Sequence, residues 1–325
     1  MKKIFFTFVM FISSICISGF LAESLMRLFY EPTATILNLD EMASRFGKYV
    51  YMPPKNKLGF RETELNNNFF QDNYRRILFL GDSFTYGHGI KRGEDRFSDI
   101  IENQLNQNLP KNSLKSHIYN AGKNGTEPKD WVQYLKKLLP IYNPQYVFAI
   151  FFLRDGTNIC TSLLCHKHKI KNLKAKYENT FWYKYTYIGK FIGNKLVEKG
   201  FADYYMKKMT NSYLGTEIEK KPWIEQQKYL LEIMNISKNR KIEFHLVIFP
   251  LLFGLESHYQ FHNVEKEISH FAKENSIPIF SLTKGFIGHK SKALWVSPSD
   301  QHPNEKGHLI AANTLYPYLK EILNH

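Results

Sequence analysis

Arg76-Ile77-Leu78-Phe79-Leu80-Gly81-Asp82-Ser83-Phe84-Thr85 is the stretch on which the fold turns. Its apolar run is short and is stopped by glycine, the pattern of a strand buried on both faces. Working outward, Phe97, Ile100, Ile101 and Leu105 recur at helical spacing, and His117-Ile118-Tyr119 reads as a second strand. Trp131, Leu135, Leu138 and Leu139 mark a helix that ends before Pro144, and residues 146–153 form a nearly continuous apolar strand. Phe244 to Phe249 is a fourth strand stopped by Pro250; Val264, Ile268 and Phe271 mark a helix; Ile277 to Leu282 is a fifth strand; Ile310 to Ile322 is a closing helix. Strands alternating with helices predict an α/β fold with a parallel sheet covered on both faces.

Composition narrows the class. The chain has 325 residues, 43% hydrophobic and 23% charged, which excludes wholesale disorder, collagen and a coiled-coil rod. Three cysteines are too few for a disulfide-dense miniprotein. The net charge, 44 − 30 = +14, favours acidic surfaces or polyanions.

Only one long apolar run exists, so a multi-helix membrane protein is excluded. It extends from Ile4 to Ala22 without a charge, after Lys2 and Lys3. At helical rise it covers about 28 Å, close to the hydrocarbon thickness of a bilayer. An uncleaved anchor and a cleavable signal segment are the two readings. A bulky Phe20, where a signal segment wants a small residue, favours the anchor. The paired lysines stay in the cytoplasm by the positive-inside rule. The expected location is a bacterial inner membrane with one span and an extracytoplasmic domain, or secretion if the segment is removed.

The expected organisation is a membrane anchor or signal segment over residues 1–30, a connector wrapping the domain over 31–74, and the α/β domain over 75–325. An insertion over about 156–222 breaks the strand–helix rhythm and is read as helical. Cys160 and Cys165 there predict a disulfide in an oxidising compartment, with free thiols or a zinc site with His166 and His168 as alternatives. The basic run from His166 to Lys176 reads as a solvated face or a rest for anionic lipid or glycan. The aromatic run from Phe181 to Tyr187 reads as insertion core or a sugar-stacking platform.

Chemistry concentrates where strands end, because ligands of an open α/β sheet bind beyond the carboxyl ends of its strands. Ser83 follows the first strand on a glycine turn and can offer both a hydroxyl and a backbone N–H; such a sequence is also a common plain turn. Asp300-Gln301-His302-Pro303-Asn304 precedes Gly307 and the last helix. A serine hydroxyl needs a base within hydrogen-bond reach, and histidine suits that task near neutral pH. A carboxylate on the far ring nitrogen fixes the tautomer. Asn120-Ala121-Gly122-Lys123-Asn124-Gly125 ends the second strand and can aim an N–H at a developing oxyanion, or be a simple turn. Arg154-Asp155-Gly156-Thr157-Asn158 ends the third strand.

Taken in order, Gly-Asp-Ser, Asn-x-Gly-x-x-Gly, a strand ending in Asp, and Asp-x-His-Pro-Asn resemble the SGNH or GDSL family of esterases and acyl hydrolases. The resemblance runs from about Arg75 to the carboxy terminus around the insertion. It implies a flavodoxin-like, three-layer α/β/α sheet and an acyl-enzyme mechanism without metal or cofactor. By it Ser83 is the nucleophile and one oxyanion donor, Gly122 the second donor, His302 the base and Asp300 its orienting acid. The family's third block usually reads Gly-x-Asn-Asp; here the asparagine position holds Arg154, so Arg154 or Asn158 is the expected third donor. The Asp-x-His spacing is one residue tighter than the common Asp-x-x-His. The implied function is ester hydrolysis, with O-acetyl groups of envelope carbohydrate as one substrate class. O-acyl transfer to an envelope polysaccharide, or a degenerate binding or assembly protein, are the alternatives. The membrane is the expected partner; nucleic acid is not.

Overall fold

In the computed structural model the described residues are 2–31, 53–65, 74–107, 109, 113–160, 163–256, 259–297 and 300–323. Most of the connector expected over 31–74 lies outside them. The chain divides into two units, one comprising Met1–Tyr49 with Cys160–Lys208, the other Val50–Ile159 with Met209–His325.

In the first unit, helix α1 (Lys2–Phe29) is the one helix among the described residues long and apolar enough to cross a membrane. In the second, β1 (Tyr74–Gly81) leads into a single helical turn, α2 (Ser83–Tyr86), and then α3 (Phe97–Asn106), β2 (Lys115–Gly122), α4 (Pro128–Tyr142) and β3 (Tyr146–Phe152). The insertion supplies α5 (Lys167–Glu178), α6 (Phe181–Tyr185) and α7 (Tyr187–Leu214). The sheet resumes through α8 (Glu217–Asn239), β4 (Glu243–Phe249), α9 (His262–Glu274) and β5 (Ile279–Ser281). A last turn α10 (Thr283–Phe286), a hairpin of β6 (Trp295–Ser297) and β7 (Asp300–Pro303), and α11 (Glu305–Ile322) complete the described chain.

The five strands pair in parallel in the order β2-β1-β3-β4-β5. The alternation read from the sequence is therefore observed, in the flavodoxin-like strand order. Side-chain parity explains the unbroken apolar strands. Phe79 stacks on Phe97 of α3, and Phe97 in turn on His308 of α11. On the other face Phe151 meets Trp131 of α4 and Trp223 of α8 edge-on. With helices on both faces, alternating apolar and polar residues would bury polar groups, so β3 is buried from Val147 to Phe152.

The insertion has its own small core, in which Ile170 and Leu173 of α5 pack with Val197 of α7. A disulfide joins Cys160 to Cys165. His166 donates from Nε2 to the Cys160 carbonyl at 2.8 Å. The aromatic run divides: Tyr183 is half-buried and its hydroxyl donates to Asn194 Oδ1 at 3.0 Å, whereas Phe181, Trp182 and Tyr185 are 65%, 68% and 63% exposed. The helix that holds them, α6, is five residues long and has no buried face.

Candidate active site

The first sheet strand delivers Ser83 because the chain turns sharply after it. Asp82 caps α2, its Oδ1 accepting the Phe84 N–H at 2.8 Å, and Gly87 closes the turn in a left-handed conformation, φ 76°. Ser83 stands in the first turn, 6% exposed. Gly81 and Gly122 lie side by side at the ends of β1 and β2. A Cβ on Gly122 would come within 2.3 Å of the Tyr86 N, so only glycine lets α2 lie so close to the sheet. Asn120 fastens the two, donating to the Thr85 carbonyl at 2.7 Å and the Ser98 hydroxyl at 2.8 Å.

Asp300 and His302 arrive on β7, paired antiparallel with β6. Residues two apart on a strand point to the same side, which is why the tight Asp-x-His spacing works here. Asn304 fixes the strand's far end. Its Oδ1 accepts the Gly307 N–H at the start of α11, while its amide donates to the Ala293 and Trp295 carbonyls at 3.0 Å each. The imidazole of His302 bridges the two other groups: Nδ1 lies 2.5 Å from Asp300 Oδ1, and Nε2 lies 2.9 Å from Ser83 Oγ. With Nδ1–H donated to the carboxylate, Nε2 is left to accept the Ser83 hydroxyl. The three residues singled out from sequence are thus in one hydrogen-bonded line.

A fourth member carries no family motif. His88 reaches the other carboxylate oxygen, Nε2 to Asp300 Oδ2 at 3.5 Å, and its ring lies 4.3 Å from that of His302. The Asn124 amide lies 3.0 Å from His88 Nδ1. An amide N–H donated there leaves the His88 proton on Nε2, facing Asp300. The turn bearing His88 is held from the connector: buried Arg61 donates to the carbonyls of Gly87 at 3.0 Å and Lys91 at 3.1 Å. Burial alone would raise the Asp300 carboxyl, but the hydrogen bonds from His302 and His88 override it and hold the group well below the usual carboxylate range. The sequence signal that could have found His88 is Gly87-His88-Gly89, whose glycines have φ of 76° and 83° and swing the turn back toward the site.

Two of the expected oxyanion donors are engaged elsewhere. The Gly122 N–H is already donated to Asn120 Oδ1 at 2.9 Å, so Gly122 is a packing glycine and not an open donor. Among the described residues the N–H groups of Ser83 and Gly125 meet no acceptor. Gly125 is exposed, with φ 74° and nothing within 4 Å of where a Cβ would sit. Arg154 is also engaged. Its Nη2 lies 3.3 Å from Asp82 Oδ2 and 3.8 Å from Asp155 Oδ1, both on side chains that are almost wholly buried. It is a counter-ion behind the serine turn. Asn158 is exposed and forms no hydrogen bond with Ser83, Asp300 or His302.

Asp155 belongs to that counter-ion group. Burial, and then the neighbouring Asp82, push its carboxyl well above the usual range, against the pull of Arg154 and of the Phe152 N–H that it accepts at 3.0 Å. Just beyond it, the Tyr213 hydroxyl donates to the Leu153 carbonyl and fills the space over Gly156.

His88, Asp300 and His302 offer ligand atoms within 4.8 Å of one another, the only such group among the described residues. Asp300 Oδ1 and both His302 nitrogens are committed to the Ser83 line, so a cation there would compete with it.

No family model matches the chain, and no curated protein does. Solved structures are similar to it. One is TesA, 12% identical over 76% of this chain and 99% of that one, TM-score 0.47. Another is the psychrotrophic esterase EstA from Pseudoalteromonas sp., 13% identical over 77% and 100%, TM-score 0.42. The chain is likewise similar to a member of the lipolytic protein G-D-S-L family from Veillonella parvula, 12% identical over 74% and 96%, TM-score 0.39.

Proposed function

We propose that the protein is a serine esterase of SGNH type that works through an acyl-enzyme. The observation that carries this reading is the line Asp300–His302–Ser83, with 2.5 and 2.9 Å between successive polar atoms. Ser83 Oγ attacks the ester carbonyl carbon as its proton passes to His302 Nε2. The carbonyl oxygen becomes an oxyanion, held by the Ser83 N–H, with the Gly125 N–H as the second donor on this reading. The tetrahedral intermediate collapses, the bond to the alkoxy oxygen breaks, and His302 returns its proton to the leaving alcohol. A water molecule, deprotonated by His302, then attacks the acyl carbon; the bond to Ser83 Oγ breaks, His302 returns the proton to Ser83, and the carboxylic acid leaves. Asp300 and His88 hold the imidazole in the working tautomer throughout.

The residues at the amino terminus support a location in the cell envelope. A single apolar helix behind two lysines reads as an inner-membrane anchor with the domain outside, and the Cys160–Cys165 disulfide fits an oxidising compartment. O-acetyl groups of envelope carbohydrate are the substrate class that this location offers.

Turnover of a chromogenic acetyl ester tests the reading. Ser83→Ala is expected to lower kcat by roughly a thousandfold or more. Equal rates for the two proteins would refute it. A fluorophosphonate probe should label the wild type and spare both Ser83→Ala and His302→Ala.

A further inference from the structure

The insertion meets the end of α1 through a built contact. Glu23 is the first charge after the apolar run, and its carboxylate accepts the Tyr187 N–H at 2.8 Å and the Ile188 N–H at 3.0 Å. A carboxylate at the N-terminus of the 28-residue helix α7 is favoured by the unpaired N–H groups and dipole there. Arg27 pairs with Glu23 at 3.0 Å, donates to the Tyr185 carbonyl at 3.4 Å and lies over the Tyr187 ring at 5.0 Å. One turn on, the Asn194 amide donates to the Tyr30 hydroxyl at 2.9 Å, and Phe191 meets the Tyr30 ring edge-on. These contacts fix the start of α7 at the height of Glu23, about one residue's rise beyond the hydrocarbon boundary that Ala22 would mark.

Phe181, Trp182 and Tyr185 project beside this junction. Their rings cluster, with centroids 5.7 and 5.0 Å apart, yet each is more than 60% exposed. Leu25 and Leu28 of α1 are 55% and 75% exposed. Residues 179–197 contain three lysines, Lys184, Lys190 and Lys195, and no acid. Tryptophan and tyrosine are the residues that the membrane–water interface favours, and lysines beside them suit lipid phosphates.

We propose that α6 and the start of α7 form a membrane-seating element, with Phe181, Trp182 and Tyr185 lying among the headgroups and Lys184 and Lys190 against anionic lipid. This rests on the reading of α1 as a span, which sets the depth. The element adds a second membrane contact to the unit that carries the disulfide.

Trp182 is a native probe, since Trp131, Trp223 and Trp295 are 0%, 1% and 7% exposed. The full chain is reconstituted in mixed phosphatidylcholine–phosphatidylglycerol vesicles with bromine on the acyl chains near the headgroup. Its emission should be quenched by lipid bromine and shielded from aqueous iodide, and Trp182→Phe should lose the lipid-quenchable part. Parallel extraction of native membranes with alkaline carbonate should leave the protein in the pellet. Retention in the pellet with Trp182 open to iodide, or closed to both quenchers, overturns the seating and spares the anchor; the second outcome assigns the patch to a protein partner. Release by carbonate overturns the anchor, and the seating with it.

Discussion

Two aspartates serve the Asp82-Ser83 turn, one from the β6–β7 hairpin and one from the turn after β3, and their surroundings shift them in opposite directions. Asp300 is 29% exposed and has an imidazole at each oxygen, so it holds its charge. Asp155 is 1% exposed, has one backbone donor and faces Asp82, so its carboxyl is pushed well above the usual range. The difference teaches that donors decide what a carboxyl can do. Given two imidazole partners it orients a base; given burial and a like neighbour its charged form is disfavoured, and Arg154 stands beside both carboxyls.

The comparison can be broken most forcefully at Asp300. Asp300→Asn should lower kcat for an acetyl ester by roughly 10³–10⁴, through loss of the tautomer and of imidazolium stabilisation, with the fold intact. An unchanged kcat would erase the contrast. At the other carboxylate, Arg154→Asn should remove about 3 kcal/mol of stability in urea titration, because Asp82 is left buried without its cation. A gain in ester turnover without loss of stability would show that Arg154 was obstructing the site instead. His88→Phe keeps a ring against His302 and removes one donor to Asp300. It should cut kcat about tenfold, the worth of one hydrogen bond to a charged group, and leave KM nearly unmoved. The smallest change is expected from Asp155→Asn, under about 1 kcal/mol near pH 4. The folded pKa of Asp155 is raised, so its contribution to stability is full below about pH 4 and fades as pH rises through the folded value. The variant lacks that loss. Its stability relative to wild type should therefore grow with pH, and a flat difference would place the Asp155 proton elsewhere.

The sheet was legible because its strands are buried on both faces. Leu78 to Leu80 and Val147 to Phe152 leave no other reading once glycine and the next helix bound them. The Ser83, Asp300 and His302 positions were legible because each sits in a motif at a strand end. Hydrogen-bond direction was not. Whether the Gly122 N–H points at a substrate or at Asn120 depends on one peptide's orientation, which no residue type reports. Arg154 misled for a related reason: a cation near a serine turn suggests an anion-binding role until the buried Asp82 and Asp155 are seen to claim it. His88 stayed hidden because its partner is more than two hundred residues away and only the fold brings them together.

Carrying Asp300 and His302 on one strand imposes a parity rule on the protein's descent. Along an extended chain only even separations keep two side chains on the same side. On this strand a lone insertion would turn the imidazole and the carboxylate to opposite sides, so the commoner Asp-x-x-His spacing needs a loop in place of an extended chain. Drift should therefore be held tightly over these four residues for as long as they remain a strand.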